Sequence, residues 1–415
     1  MNVPDGWKQV DLGSIISVIS DGGTPSRGVS RYFGGDIPWI VIDDIKDDIY
    51  ETTESLTEMG LSACSSKYWN EGTVILSTGA TIGVVGITRV KAATKQGICG
   101  IEFKNPIDNK YMMYLLKSMR KTFLAYSQGS TIREIRPTLI KKLEVQIPES
   151  AAEQRQIARI LSKVDEAIRQ TEQLIAKYRR LKTGLMQDLL TKGIDAHGNI
   201  RSEETHAFKD SPLGRIPAEW DVSLLGQIAD FKSGYAFKNE ELTEFGTKII
   251  RISNLHKHDF PYWRYNGPVK PSWIVENGDI LFSWAGVASS IDCVKYKGEN
   301  ALLNQHIYNF KFDNAIIKQF AFKYIQYFLP KLRLEIEGGA GQLHLTKDKI
   351  TGILIPALNN QEMERVNSKL SHIDNLLEEV QSDLLKKHSL KTGLMQDLLS
   401  GKVRVEQLIR EAADV

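Results

Sequence analysis

The chain has few cysteines, no long apolar run and almost no excess of charge, and each absence excludes a class of protein. Its 415 residues include three scattered cysteines, Cys64, Cys99 and Cys293, which form no C-x-x-C pair, so neither a disulfide framework nor a zinc ribbon is predicted. No apolar run approaches the roughly 18 residues of a membrane span, and MNVPDGWKQV lacks the basic start and apolar core of a signal peptide. We therefore expect a cytoplasmic protein without a membrane partner.

Charge and composition are those of a globular protein. The sequence carries 53 Lys and Arg against 51 Asp and Glu, with 42% hydrophobic and 25% charged residues. Such a balance does not indicate a polyanionic partner, so any surface for nucleic acid would have to be a local patch. The length exceeds what one hydrophobic core normally organises, and a prior of about 150 residues per domain predicts two or three domains.

Sequence motifs of catalysis are missing as well. The sequence contains no G-x-x-x-x-G-K-[ST] phosphate loop, no H-E-x-x-H and no G-x-S-x-G elbow. It also has no glycine-rich turn suited to S-adenosylmethionine and no Pro-Pro pair of the kind that holds a flipped base. We predict no catalytic residue and no metal ligand. A metal site at His256 and His258 in NLHKHDF is the alternative to a solvated polar loop, which we favour.

What the sequence does contain is a long repeat. The ten residues LKTGLMQDLL occupy 181–190 and recur letter for letter at 390–399, which favours an even number of domains. Upstream, Ser150-x-x-Glu153 and Asn359-x-x-Glu362 stand in the same register. Each is predicted to be a capping box, in which the Ser or Asn oxygen accepts from an orphan amide and the glutamate reaches back. Both repeats should therefore begin as helices at equivalent points.

Apolar residues follow these caps at heptad spacing, which predicts a coiled-coil seam. Each helix would contain about 40 residues and measure roughly 60 Å. We expect the two helices to pair antiparallel; the alternative is that each packs on its own domain. The seam residues are Ile157, Leu161, Val164, Ile168, Ile175, Leu185 and Leu189 in the first copy, and Val366, Leu370, Ile373, Leu377, Leu384, Leu394 and Leu398 in the second.

A glycine interrupts each repeat, Gly184 in the first and Gly393 in the second. Each costs roughly 1 kcal/mol relative to alanine inside a helix. Its presence in both copies suggests that another backbone, from the partner helix or from another subunit, passes close by. The alternative is a simple helix end or kink.

The segments between the helices correspond more faintly. EGTVILSTGA (71–80) matches NGDILFSWAG (277–286), and each reads as a buried strand behind a glycine turn. Further pairs are 3–15 with 216–228, 37–45 with 247–255, 95–103 with 304–312, and the glycine-rich loops SQGSTIREI and EGGAGQLHLT. The sequence therefore predicts a mixed α/β fold used twice, with pseudo-twofold internal repetition. The predicted divisions are a first domain at 1–149, a helix at 150–192, a linker at 193–215, a second domain at 216–358, a helix at 359–400 and a tail at 401–415.

Polar loops at matching points carry residue types that read bases and phosphates. Arg pairs with guanine edges, Asn or Gln with adenine edges, and Lys, Ser and Thr with phosphates. We predict that 22–35 and 127–136 face one half of a DNA site, and that 232–239, 254–258 and 338–346 face the other. The candidate side chains are Thr24, Ser26, Arg27, Arg31, Tyr32, Gly129, Ser130, Thr131, Arg133, Lys232, Tyr235, Lys238, Asn254, His256, Gln342 and His344. Ordinary surface loops are the alternative.

Taken together, the duplicated LKTGLMQDLL, the GGTPS and GSTIREI loops, IPWI, LLNQHI, FKDSPLGRIPAEW and LLSGKVRV resemble the specificity subunit of type I restriction-modification systems. The resemblance covers nearly the whole chain. It implies two target recognition domains that each read half of a split DNA site, held apart by two like helices that form an antiparallel coiled coil. It also implies that two methyltransferase subunits and restriction-translocase subunits assemble around them.

On this resemblance the chain binds double-stranded DNA but has no activity of its own. S-adenosylmethionine, ATP and magnesium are expected on the partner subunits and no cofactor on this chain. The repeated helix would be a docking platform presented twice, with Gly184, Met186, Gln187, Gly393, Met395 and Gln396 as the docking residues. The alternatives are a DNA methyltransferase with its own recognition domain and a coiled-coil scaffold that does not bind DNA.

Overall fold

The computed structural model of the chain describes residues 3–127, 133–256, 260–337 and 345–413. They form two units. Unit 1 comprises Met1–Gln173 and Ser382–Val415, and unit 2 comprises Leu174–Gln381. Among the described residues no helix is both long and apolar enough to cross a membrane.

The first half of the chain alternates strands and helices up to the first long repeat helix. Its strands are β1 (Trp7–Asp11), β2 (Ile16–Asp21), β3 (Phe33–Ile40), β4 (Asp48–Ile49), β5 (Glu54–Leu56), β6 (Val74–Ser77), β7 (Val85–Thr88), β8 (Ala93–Thr94), β9 (Ile98–Phe103) and β10 (Glu144–Pro148). Its helices are α1 (Leu12–Ile15), α2 (Glu58–Ser62), α3 (Asn109–Ser118), α4 (Arg120–Tyr126), α5 (Pro137–Ile140) and α6 (Ala151–Thr191).

The second half has the following elements within its described ranges. The strands are β11 (Phe208–Ser211), β12 (Gly214–Pro217), β13 (Asp221–Leu224), β14 (Asp230–Ser233), β15 (Thr247–Ile250), β16 (Trp263–Tyr265), β17 (Ile274–Val275), β18 (Ile280–Ser283), β19 (Asp292–Lys295), β20 (Ala301–Leu303), β21 (Ile307–Lys311) and β22 (Leu354–Ala357). The helices are α7 (Leu225–Ile228), α8 (Ile252–His256), α9 (Ala315–Glu337), α10 (Lys347–Thr351), α11 (Asn360–Leu399) and α12 (Glu406–Ala413).

The two units share a sheet plan. Unit 1 has a five-stranded sheet in the order β2-β9-β6-β7-β4 and a three-stranded sheet β5-β3-β8. Unit 2 has a four-stranded sheet β14-β21-β18-β19 and a second sheet β16-β15-β20-β17. A short antiparallel pair closes each unit, β1 with β10 and β13 with β22. The predicted duplication of a mixed α/β fold is confirmed.

The predicted buried strands are also confirmed. All four residues of β6 and all four of β18 are buried, because each apolar run lies at the centre of its sheet. A helix covers each sheet, α3 in unit 1 and α9 in unit 2, and the core of each unit forms between them. Such a core forms when the apolar face of a sheet packs against the apolar face of a helix.

The long helices pack against each other antiparallel within each unit. In unit 1, Lys391 Nζ lies 2.5 Å from the Asp165 carboxylate, and Lys387 Nζ lies 2.7 Å from Thr171 Oγ1. In unit 2, Lys182 Nζ lies 2.7 Å from Asp374. The predicted heptad residues are buried or half-buried in both helices. The predicted antiparallel seam is therefore present on both sides of the division between units.

Half of the predicted capping-box geometry is wrong. The Ser150 and Asn359 oxygens accept from the Glu153 and Glu362 amides at 3.5 Å and 2.9 Å. The two glutamates do not reach back. They are buried and bind arginines that follow the other helix copy: Arg404 with Glu153, and Arg201 with Glu362. A buried carboxylate is stabilised far more by a guanidinium than by one amide, which explains the difference.

The segment predicted as a polar linker, 193–215, is more ordered than expected. It contains β11 and the first half of β12, which form a hairpin. Its Arg201 is 5% exposed and lies in the core of unit 2. Sequence reasoning missed this order because the segment is polar and short of apolar periodicity.

Candidate nucleic-acid interface

A glycine at the end of the first sheet strand directs the candidate loop in each unit. A Cβ atom on Gly22 would lie 2.2 Å from the Thr94 carbonyl oxygen, and one on Gly234 would lie 2.2 Å from the Leu303 carbonyl oxygen. No other residue fits either place, so each loop leaves its strand at an equivalent point. The loops then diverge in sequence, as expected of connections that carry function on a shared scaffold.

Arg27 is the most constrained candidate in the 22–35 loop. Its guanidinium lies 4.9 Å from the Phe33 ring and 5.1 Å from the Trp39 ring. It also binds the Glu54 carboxylate with both terminal nitrogens, and this hydrogen bonding raises the pKa of Arg27. Because Glu54 neutralises the charge, Arg27 is an ordered hydrogen-bond donor rather than a free cation.

The rest of that loop is more open. Ser26 and Arg31 are exposed, while Thr24 and Tyr32 are half-buried. The Arg31 and Tyr32 carbonyl oxygens accept from the Thr57 side chain and amide, at 2.9 Å and 3.0 Å. These bonds fix the backbone and leave the Arg31 side chain exposed for an outside acceptor.

The second candidate loop of unit 1 is only partly described. Gly129, Ser130 and Thr131 lie outside the described residues. Arg133 is exposed. Two positions later, Ile135 is fully buried and its amide donates to the Thr78 carbonyl at 2.9 Å. That anchor holds Arg133 beside the turn that follows β6.

In unit 2 the candidate tyrosine is held by its neighbours. The Tyr235 ring stacks on Trp273 with centroids 4.2 Å apart, and its hydroxyl donates to Glu241 at 3.1 Å. The Glu241 hydrogen bond raises the pKa of Tyr235. Lys232 and Lys238 are exposed. The loop therefore presents two exposed cations beside a rigid aromatic pair.

Asn254 has an internal role. It is 3% exposed. Its Oδ1 accepts from the Arg251 amide at 3.1 Å, and its Nδ2 donates to the Phe260 carbonyl at 2.9 Å. Asp44 makes the same bond to the Val41 amide in unit 1, at 3.0 Å. The side chain thus shapes the loop from within.

The remaining candidates of unit 2 fall at the edges of the described ranges. His256 ends α8, but its side chain, like His258, Gln342 and His344, lies outside the described part of the chain. Among the described residues no three His, Cys, Asp or Glu side chains form a group that could hold a metal ion.

Sequence reasoning missed Arg251, which the structure makes the best-positioned cation of this loop. Its guanidinium stacks 4.0 Å from the Trp263 centroid and 5.4 Å from that of Phe260, and Nη2 donates to the Pro261 carbonyl at 2.7 Å. It has no carboxylate partner among the described residues, and burial lowers its pKa. The signal that could have found it is an arginine followed within twelve residues by three aromatics, in RISNLHKHDFPYW at 251–263.

The repeated motif presents the same exposed positions in both copies. Gly184, Gln187, Gly393 and Gln396 are exposed, and the leucines that open the two copies are 48% and 54% exposed. A Cβ atom on either glycine would meet no atom within 4 Å, apart from the backbone of its own helix turn and its chain neighbours. Among the described residues, the expected close approach of the partner helix is therefore wrong, and neither glycine ends its helix.

The two methionines of the motif lie deeper. Met186 is 8% exposed and packs in the core of unit 2 with Leu189 and Trp220. Met395 is half-buried against the core of unit 1. The docking role predicted for Met186 is corrected accordingly, because a buried thioether is not available to another subunit.

Taken together, these features define an internally duplicated protein in which one fold carries two different loop surfaces and one helix motif appears twice. The chain belongs to the family of type I restriction modification DNA specificity domains, whose profile matches residues 4–178 and 217–386.

Similar proteins agree with this assignment. The type I restriction enzyme MjaVIII specificity subunit of Methanocaldococcus jannaschii is 27% identical over 98% of this chain and 95% of its own length. The HindI specificity subunit of Haemophilus influenzae is 28% identical over 35% of this chain and 33% of its own length. The crystal structure of a type I S subunit from M. genitalium has the same fold, with a TM-score of 0.62 at 18% identity and 96% coverage of both chains.

Proposed function

We propose that each unit reads one half of a bipartite DNA site, and that the repeat helices set the spacer between the halves and dock methyltransferase subunits. The observation that carries this proposal is the contrast within the repeat. The two ten-residue motifs are identical, whereas the loops that leave the two sheets at Gly22 and Gly234 share almost no side chains. Identical helices suit identical partners, and different loops suit different DNA sequences.

The loops provide the chemistry for reading DNA. Arg27 and Arg251 are both stacked on aromatic rings, which orders a guanidinium before binding. An ordered arginine can donate two hydrogen bonds to the O6 and N7 atoms of guanine, whereas exposed lysines such as Lys232 suit phosphates. DNA recognition thus rests on a few ordered donors within a nearly neutral chain.

The helices provide the docking surface. Exposed leucine, glycine and glutamine recur at matching positions of both copies. A glycine with open space beside it lets a second backbone approach closely, so a helix of another subunit fits there. On this proposal S-adenosylmethionine, ATP and magnesium act on the partner subunits, and this chain contributes sequence recognition.

The experiment is to map adenine methylation in a genome that expresses the chain with its methyltransferase partner. We expect one methylated motif made of two short half-sites and an unread spacer. Replacing residues 1–149 by the equivalent domain of a relative should change one half-site and leave the other. The spacer and the second half-site serve as the internal control for folding and assembly.

Three outcomes would contradict the proposal. A swap that changed both half-sites would show that the units do not read independently. Methyl transfer by the purified chain alone would indicate a methyltransferase. An absence of sequence-selective DNA binding, even with the partner subunits, would leave only a scaffold.

A further inference from the structure

Each unit contains one pair of lysines where a shorter helix meets the long repeat helices. The pair is Lys117 and Lys391 in unit 1, and Lys323 and Lys182 in unit 2. Lys117 in α3 and Lys323 in α9 both stand nine positions after the N-terminal cap of their helix. Beside each lies one bridge between the repeat helices, Lys391 with Asp165 in unit 1 and Lys182 with Asp374 in unit 2. The two places are therefore equivalent in the repeat.

In unit 1, aspartates of the same chain neutralise the cations at this place. The strand β4 is the fifth in the sheet and pairs with β7, with Asp48 opposite Ile87. Asp47 binds Lys117, and Asp48 binds Lys110 at 2.9 Å and Arg89 at 2.7 Å. These neighbouring cations lower the pKa of both aspartates against the opposing effect of burial. A short acidic strand thus covers the sheet edge and its lysines.

Unit 2 has no such strand among its described residues. Its sheet stops at β19, the counterpart of β7. Lys295 in β19 is the counterpart of Ile87 in β7, because Lys295 pairs with Ile280 as Ile87 pairs with Val74. In unit 1, Ile87 lies opposite Asp48 of β4. All four residues of β7 are buried, whereas only Cys293 of β19 is. No other strand of the described residues pairs with the outer edge of β19.

A basic cavity lies at this place. Its volume is about 860 Å³, and six cationic side chains line it against two acidic ones, Asp374 and Glu378. The cations are Arg179, Lys182, Lys295, Lys297, Lys318 and Lys323.

Few of these charges are neutralised. Lys182 and Lys323 share the single carboxylate of Asp374, and Lys297 binds Glu378 at 2.8 Å. Arg179, Lys295 and Lys318 have no ion-pair partner within the described ranges. Lys323 itself is 7% exposed, and it shares its one ion-pair partner, Asp374, with Lys182. Uncompensated cations in a concave site attract anions strongly.

We propose that this cavity and the β19 edge bind an extended acidic segment of a partner protein, which adds a strand there as β4 does in unit 1. The chemistry of the occupant follows from unit 1, in which two adjacent aspartates, Asp47 just before β4 and Asp48 at its start, bind the cations of the equivalent place. Pairing with a sheet edge supplies backbone hydrogen bonds, and the lysines select for carboxylates. This site is separate from the DNA-reading loops and does not depend on the proposed function.

The test uses the full chain and a fluorescent nine-residue peptide with the sequence of residues 44–52, DIKDDIYET, as the probe. We expect saturable binding in fluorescence anisotropy. A peptide with asparagine in place of both adjacent aspartates should bind at least tenfold more weakly. The double variant Lys295→Ala/Lys318→Ala should also lose at least tenfold in affinity for the original peptide.

The matched control is Lys331→Ala/Lys347→Ala, which removes two exposed lysines of unit 2 that do not line the cavity. It should bind the peptide as the unaltered chain does. If the first double variant fails to show a cooperative thermal transition, Lys295→Ala alone is used, because Lys295 is exposed on an edge strand. Equal binding of the two peptides, or equal losses in test and control variants, would overturn the proposal. So would displacement of the peptide by inorganic tripolyphosphate at concentrations below the peptide's own Kd, which would indicate a site for small phosphates.

Discussion

The two units neutralise equivalent lysines, Lys117 and Lys323, in two different ways, and the difference shows how a duplicated fold acquires separate surfaces. In unit 1, Lys117 and Lys391 lie among Asp47 and Asp165, so charges balance within the chain. In unit 2, Lys182 and Lys323 share Asp374 alone. The helices and central strands are alike in both units, and a single two-residue strand decides whether the place is filled or open.

The candidate DNA-reading loops also differ between the units. Val41 and Arg251 occupy equivalent positions after β3 and β15, since Ile40 pairs with Thr94 as Ile250 pairs with Leu303. Both amides are capped by the side chain three residues later. Val41 is buried, while Arg251 stacks on aromatic rings. One backbone arrangement therefore presents an apolar residue in one unit and a cation in the other.

Lengthening both helices should have the largest effect on function. Inserting one heptad near Thr171 and one near Val380 keeps the seam in register and lengthens each helix by about 10 Å. We expect methylation of the original site to be lost, and the preferred spacer to grow by up to about 3 bp at roughly 3.4 Å per pair. Sequencing of methylated adenines measures the change. A folded variant that still methylates the original site at the original spacing would show that the helices do not set the distance.

Removing the arginine that binds the buried glutamate should destabilise unit 2 more than unit 1. The side chains of Arg201 and Glu362 are 5% and 1% exposed, and those of Arg404 and Glu153 are 27% and 2% exposed. Arg201→Ala leaves a buried carboxylate with the Trp220 indole as its remaining side-chain donor among the described residues. It should lower the free energy of unfolding by about 3 to 5 kcal/mol, and Arg404→Ala by less, because water reaches that pair. Urea unfolding of the two variants measures the difference, and equal losses would contradict it.

Replacing Arg251 by its unit 1 counterpart tests the loop comparison. Arg251→Val should weaken binding by about 1 to 3 kcal/mol if the guanidinium contacts a base, and should relax specificity only in the half-site of unit 2. Arg264→Ala, whose guanidinium donates to the Gly246 carbonyl at 2.9 Å, is the nearby control. Arg133→Ala and Gln342→Ala carry the same expectation for their own half-sites. Unchanged methylation in all of these variants would refute the assignment of the loops.

The smallest expected effect is the pH dependence of peptide binding to the basic cavity. Burial, with Lys182 and Lys295 nearby, lowers the pKa of Lys323 to about 8, and Glu378 opposes that shift. The groups that face it are Lys182 from α6, Asp374 and Glu378 from α11, and Lys295 from β19. An acidic peptide favours the protonated lysine, so its affinity should fall roughly three- to tenfold as the pH rises from about 7 to about 9. Lys323→Arg should flatten this dependence in anisotropy titrations; a flat profile for the unaltered chain would contradict it.

The sequence by itself determined the duplication, the two long helices with their antiparallel seam, and the buried central strands β6 and β18. These features depend on local periodicity, since residues three and four apart share a helix face and alternate residues share a strand face. The same reasoning located the candidate loops, because glycine-rich polar segments between apolar runs mark connections.

Tertiary structure alone decided which side chains meet across the chain. Glu153 and Arg404 are 251 residues apart, and Lys323 and Asp374 are 51 apart. No local pattern predicts such pairs, because their distance is fixed only when sheets and helices close around one core. The pairing of Glu153 and Glu362 with arginines, the order of the 193–215 segment and the stacked Arg251 were therefore not predicted. For the same reason, only the fold showed that β4 pairs with β7 in unit 1, whereas no described strand of unit 2 covers the equivalent edge of β19.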